Sequence, residues 1–339
     1  MALMKDDWKG IRIHKYGPLY HHLRRCVLPS LDIEAKSPSF EARPISLQNG
    51  VYLFEEKKSG KLFIGKFFGT RKMIPENEQR RLLDAEFNNL KILRNKGLRH
   101  VPDQVVRPIS KAAEINCLLV ENHVPGHDLD YYIQKAIKEG QNDRLMKKLS
   151  ELARFFARLH ACTAIPGKIN IRRIQYDFNE FVRTLLKKNL IDKKTSDRFL
   201  SLLREWRDSR GISSNTSVLV HGDATPTNFI FSPDVGITAI DLERMHFSDN
   251  ALDIGMLAAE LKHHYAACAL NAGASEPFIQ HFIASYHREL AGSDALITSL
   301  NERNPFYMAM GELRIARNEW LHVDHRRWLI EEALRCLQR

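Results

Sequence analysis

Three short apolar runs, residues 218–220, 229–231 and 237–240, stand out against the polar segments between them. The polar loop His221-Gly222-Asp223-Ala224-Thr225-Pro226-Thr227-Asn228 follows the first run, and the turn Ser232-Pro233-Asp234-Val235-Gly236 separates the other two. Two strands joined by a tight turn predict a hairpin. That hairpin brings Asn228, ahead of its first strand, close to Asp241, after its second. With Asp223 on the preceding loop, three oxygen-bearing side chains are expected to converge at one strand edge. Upstream, residues 44–48, 51–55 and 61–68 predict a strand meander, with Asn49-Gly50 as the first hairpin turn. Leu82, Leu83, Glu86, Leu90 and Leu93 recur at spacings of three and four, predicting a helix from Ile74-Pro75-Glu76 to Gly97. Two further strands are expected at 105–108 and 115–120. From Leu129 the pattern becomes helical, with Leu149, Leu152, Phe156 and Leu159 on one face. Residues 168–215 read as a helical, basic insert and 256–337 as further helices.

Composition narrows the class. A chain of 339 residues is long enough for two lobes, and 44% hydrophobic with 27% charged residues is ordinary for a globular protein. No apolar run is long enough for a membrane span, and the first 25 residues have no apolar core of a secretory signal. Cys26, Cys117, Cys162, Cys268 and Cys336 are scattered and odd in number, which argues against a disulfide framework or zinc site and for a cytoplasmic setting. Net charge is +10. Residues 1–120 hold most of it, with 22 Lys and Arg against 13 Asp and Glu. Such a basic half reads as a solvated surface or as peripheral contact with an anionic surface. No nucleic-acid partner is expected, because the basic residues are not interleaved with aromatics in a recognition motif.

Lys66 lies inside an apolar strand, with Ile64 and Phe68 on the same face by alternation. Glu86 interrupts an apolar helix face. Each is costly alone, and a Lys66–Glu86 pair resolves both. The alternatives are a snorkelling edge lysine, and Arg94 or Lys91 as the partner of Glu86. Asp223, Asn228 and Asp241 suit phosphoryl transfer, since Mg²⁺ takes a few hard oxygen ligands from protein and completes its shell with phosphate and water.

The paired motifs, His221-Gly222-Asp223 to Asn228 and Ile240-Asp241-Leu242-Glu243, resemble those of the aminoglycoside phosphotransferase and choline kinase family. The resemblance covers about residues 43–290. It implies an α+β, two-lobed protein kinase-like fold. A small antiparallel sheet plus helix forms the N-lobe (43–121, after an arm at 1–42), and a larger, mostly helical C-lobe follows (122–339). It implies ATP, with GTP as the alternative nucleotide, and Mg²⁺ as cofactors. Lys66, held by Glu86, would position the nucleotide phosphates. Asn49 and Gly50 would lie over them, although no G-x-G-x-x-G is present. Main-chain groups of Glu121, Asn122 and His123 would meet the purine. Asn228 and Asp241 would hold the metal, and Asp223 would be catalytic, orienting a hydroxyl. Asp253 would brace the catalytic loop from below, and His160 reads as structural. Glu243 is left between a second metal and simple hydrogen bonding. Gly222 stands where protein kinases carry arginine, and only about ten residues separate Asp241 from the next helix, so a small-molecule hydroxyl acceptor is expected. Bulk positive charge points to a neutral or anionic one. Residues 306–328 are expected to wall its site. A protein kinase and a catalytically silent nucleotide-binding regulator are the alternatives.

Overall fold

The structure is a computed structural model that describes residues 10–338 apart from Lys72, Lys168, 210–215, 234–235, 270–271 and 291–293. Asp234 and Val235 of the expected turn therefore lie outside the described residues. The chain forms two compact units, Met1–Gly126 with Thr238–Arg244, and His127–Ile237 with Met245–Arg339.

The first unit opens with strand β1 (Ile11–Arg12) and two short helices, α1 (Pro18–His22) and α2 (Leu28–Ser30), linked by a wider turn of helix at Leu23–Val27. The meander follows as β2 (Phe40–Ser46), β3 (Val51–Glu56) and β4 (Lys61–Phe67). Helix α3 (Glu76–Asn95) begins just after Pro75 and ends before Gly97, which adopts φ +104°. Strands β5 (Arg99–His100), β6 (Asp103–Val105), β7 (Pro108–Ala112) and β8 (Leu118–Asn122) complete the unit. The antiparallel sheet runs β1-β2-β3-β4-β8-β7. Its two faces divide the apolar residues. Phe40, Phe54, Phe63, Leu118 and Val120 pack with Tyr20, Leu23, Val27 and Leu28 of the N-terminal arm. Phe68, Cys117 and Leu119 pack with Leu83 of α3. Residues 10–42 are thus part of the sheet's core.

The sequence boundaries place Thr238–Arg244 in the C-lobe, and the structure corrects this. The segment belongs to the first unit because its backbone and side chains are tied there. Val106 N–H donates to Ala239 O at 3.0 Å, Asn89 Nδ2 to Leu242 O at 2.8 Å, and Gln104 Nε2 to Thr238 Oγ1 at 3.1 Å.

The second unit is helical. After β9 (His127–Asp128) come α4 (Leu129–Glu139), α5 (Asn142–Thr163), β10 (Ile165–Pro166), α6 (Ile171–Lys187) and α7 (Lys193–Ser209). The expected strands are β11 (Thr216–Val220), β12 (Phe229–Ser232) and β13 (Gly236–Ala239), followed by β14 (His246–Ser248). Helices α8 (Ala251–Ala269), α9 (Glu276–Glu289), α10 (Asp294–Ala316) and α11 (Val323–Gln338) close the chain. Leu149, Leu152, Phe155, Phe156 and Leu159 bury the face of α5. Helices α8 and α10 approach closely because two glycines permit it. A Cβ on Gly255 would lie 2.7 Å from the Tyr307 carbonyl carbon, and one on Gly311 would lie 2.6 Å from Ala259 Cβ. Among the described residues no helix is long and apolar enough to cross a membrane.

Candidate active site

In the first unit the chemistry collects around one cation. Lys66 sits on β4 across from Leu119 of β8, so its side chain points toward α3, as alternation predicts. Its Nζ donates to Glu86 at 2.6 Å and to Asp241 at 2.5 Å, and lies 3.1 Å from Glu121. The Lys66–Glu86 pair is therefore formed. Arg94 donates instead to Val105 O at 2.9 Å, and Lys91 lies over the Phe87 ring. Lys66, Glu86 and Glu121 are all buried. Burial alone would lower the lysine's pKa, but the charges of Asp241, Glu121 and Glu86 outweigh it and hold the ammonium well above its usual range. Burial pushes Glu86 well above the usual carboxylate range against the pull of Lys66, with Glu121 and Asp241 adding to the rise, and it raises Glu121 likewise. Glu86 and Glu121 thus share one buried ammonium, and each raises the other's cost of ionisation.

Asp241 stands at φ +60°, a left-handed conformation that aspartate tolerates better than most residues. Its side chain is 42% exposed, so its carboxylate both meets Lys66 and reaches solvent. Glu243, two residues on, accepts from Arg71 Nη1 at 2.8 and 3.0 Å. Of the residues expected over the phosphates, Asn49 is exposed in the β2–β3 turn, while Gly50 is held by packing. Gly50 has φ +65°, a Cβ there would lie 2.7 Å from Phe67 O, and its carbonyl accepts from Phe67 N–H at 2.9 Å. At the far end of β8, Asn122 N–H donates to Arg107 O at 3.0 Å, and the Asn122 Oδ1 is buried without a partner among the described residues. His123 is partly buried, and burial lowers its pKa.

The second unit holds the other half of the motif. Asp253 on α8 is fully buried and accepts from His221 N–H at 2.7 Å, Gly222 N–H at 3.0 Å and His160 Nε2 at 3.2 Å. Burial alone would raise its pKa, but His160 and His221 more than offset this and hold it below the usual range. Tyr286 OH meets the other ring nitrogen of His160 at 2.7 Å. The expected brace is present, and His160 is structural. The same helix start is capped by Asp249, which accepts from Ala251 N–H at 2.9 Å. Asn228 Nδ2 donates to the Asp223 carbonyl at 2.9 Å, which fixes the loop and directs the amide oxygen elsewhere.

Arg314 of α10, absent from the sequence reading, donates through Nη1 to Asp223 Oδ1 and through Nη2 to Glu260 Oε1, the latter at 2.6 Å. Asp130 and Asp223 both act on Glu260 electrostatically, and Asp130 lies 3.5 Å from His264. Burial lowers the His264 pKa against the pull of Asp130. Asp223 and Glu260 thus share the Arg314 guanidinium, with Asp130 acting on Glu260. Phe306 and Tyr307, expected to wall an acceptor, are core residues, with Phe306 stacked on Phe178 at 5.8 Å. A separate group, Glu312, Glu332 and Cys336, surrounds the Lys262 ammonium and is a buried ion cluster.

A model of the phosphotransferase enzyme family (APH) matches residues 41–296. The chain belongs to this family. Its structure is similar to that of an ethanolamine kinase from Plasmodium vivax, with 15% identity, TM-score 0.60, and coverage of 94% of this chain and 86% of that one. It is also similar to amicoumacin kinase in complex with AMP-PNP, Ca²⁺ and its ligand (16%, 0.55, 92% and 92%) and to choline kinase LicA from Streptococcus pneumoniae (18%, 0.51, 92% and 96%). These likenesses establish the kinase-like fold. No curated protein sequence matches the chain significantly. The described residues of this phosphotransferase carry two charge clusters. Lys66, Glu86, Glu121 and Asp241 form one, and Asp223, Arg314 and Glu260 form the other.

Proposed function

We propose that this phosphotransferase moves the γ-phosphoryl group of ATP to a hydroxyl of a small, amine-bearing alcohol. The observation that carries the reading is the Lys66 cage. A buried ammonium ringed by carboxylates is poorly explained as a packing device, and replacement of Asp241 by a nucleotide phosphate would satisfy it. Asn122 Oδ1, buried without a partner at the end of β8, supplies an acceptor suited to a nucleobase amine. Asn228 and Asp241 offer an amide oxygen and a carboxylate, the hard donors that Mg²⁺ prefers, and these residues would hold it. When bound, the ion supplies charge neutralisation for the phosphates. Asp223 orients the acceptor and receives its proton. The acceptor oxygen bonds to the γ-phosphorus, the bond from that phosphorus to the β–γ bridging oxygen breaks, and ADP leaves with the electron pair.

Bulk charge points to a neutral or anionic acceptor, but the local charges around Asp223 favour a cation. Arg314 bridges Asp223 and Glu260, and Asp130 adds its charge at Glu260. Related kinases of ethanolamine and choline have acceptors that carry such a charge. The test is a coupled assay of ADP release with ATP or GTP and a panel of ethanolamine, choline, streptomycin, glycerol and ribose. Turnover that favours the amine-bearing alcohols supports the reading. Turnover confined to glycerol or ribose removes the charge argument. Nucleotide binding without turnover would leave a silent regulator.

A further inference from the structure

We propose that Arg314, anchored on Glu260, is a positioning residue that sets the orientation of the Asp223 carboxylate for the acceptor hydroxyl. The inference rests on the reading that Asp223 acts on the acceptor. The loop from Asp223 to Asn228 contains no cation of its own. The charge partner of Asp223 arrives 91 residues later in the chain, from α10. Loop carboxylates normally rotate about their side-chain bonds, and this one is held at Oδ1 by Arg314 Nη1, while Asn228 Nδ2 donates to the main-chain carbonyl of Asp223.

The guanidinium is itself immobilised. Nη2 is committed to Glu260 at 2.6 Å, and the Arg314 side chain is only 12% exposed. The planar fork spans two carboxylates with separate N–H groups, a geometry that a lysine ammonium reproduces only as a point charge. The helix crossing fixes the span. Gly311 rests against Ala259, and one turn further along α10 Arg314 meets Glu260, the next residue of α8. Arg314 Nε is buried with no partner among the described residues. A hydroxyl arriving at a carboxylate already held in one plane starts from a near-attack geometry, and misplacement by about 1 Å costs on the order of 10²-fold in rate.

The experiment compares wild type with Arg314→Gln, Arg314→Lys, Glu260→Gln and Asp223→Asn. It measures the ratio of phosphorylated alcohol to free phosphate produced from ATP, using the best alcohol of the panel above, with ATP affinity read in parallel. The ratio does not depend on the folded fraction, so a merely structural role leaves it unchanged. Water is small and mobile and needs the least positioning. The expected result is a fall in the ratio of about tenfold or more in Arg314→Gln. A smaller fall is expected in Glu260→Gln, with partial recovery in Arg314→Lys and unchanged ATP affinity throughout. An Arg314→Gln ratio equal to that of wild type, with Asp223→Asn inactive, overturns the proposal alone. Wild-type transfer by Asp223→Asn, or a wild type that consumes no nucleotide with any alcohol or with water, overturns it together with the reading it rests on.

Discussion

Each unit centres on one cation, and the two are built differently. Lys66 is a point charge surrounded by Glu86, Glu121 and Asp241. Arg314 is a fork stretched between Asp223 and Glu260. The lysine cage gathers three carboxylates on one ammonium in a mostly buried setting, which raises the pKa of Glu86 and Glu121. The arginine bridge assigns one N–H group to each carboxylate, so it fixes positions. An ammonium can exchange one oxygen partner for another with little geometric cost. A guanidinium that leaves one of its two partners loses a directed bond.

The largest effect expected from breaking this comparison is that of Lys66→Ala. It strips the cage of its cation, and phosphoryl transfer should fall by about 10³-fold or more. The three remaining carboxylates should also cost about 3–5 kcal/mol of stability in urea unfolding, partly relieved in acid. Next is Asp253→Ala, which leaves the N–H groups of His221 and Gly222 without their carboxylate. A loss of about 3 kcal/mol is expected, with transfer falling as the loop loosens.

The third prediction concerns pH, where the units have opposite signs. Glu86 and Glu121 have raised pKa values in the folded state. Their contribution is therefore fully present below the ordinary carboxylate pKa of 4.5 and is lost as pH rises through the folded values. Asp253 has a depressed value, so its contribution is present above the ordinary 3.8 and is lost as pH falls through the folded value. Glu121→Gln should flatten the decline on the alkaline side, and Asp253→Asn the decline on the acid side, in melting temperature measured against pH. An unchanged slope in Glu121→Gln would show that the cage is not overloaded. The smallest effect is that of Gly311→Leu, where overpacking against Ala259 should cost about 1–3 kcal/mol in thermal unfolding.

The Lys66–Glu86 pair was legible in the sequence, whereas Glu121 and Asp241 as partners of Lys66, and the arginine bridge, were not. Lys66 and Glu86 each violate an apolar pattern, and two violations with opposite charge point to each other. Glu121 was read for its main chain, because its side chain joins the cage only through the register that sets Ile64 opposite it, and register between distant strands is not written in either strand alone. Arg314 sits in α10, a helix buried on most of its sides around this residue, so no amphipathic stripe marks it as an anomaly. Its partner lies 91 positions away on a loop. The meander and α3 follow from local patterns, and the brace by Asp253 was implied by the family resemblance. The return of Thr238–Arg244 to the first unit depends on backbone hydrogen bonds to Val106 and Asn89, and no local pattern predicts them.

The central claim is that the Lys66 cage receives a nucleotide with its metal. The most direct test is calorimetric titration of ATP, with and without Mg²⁺, into wild type and Asp241→Ala. The account predicts Mg²⁺-dependent binding to wild type and loss of the Mg²⁺ dependence in the variant. Equal Mg²⁺ dependence in both proteins, or no binding of ATP or GTP to wild type, would contradict it.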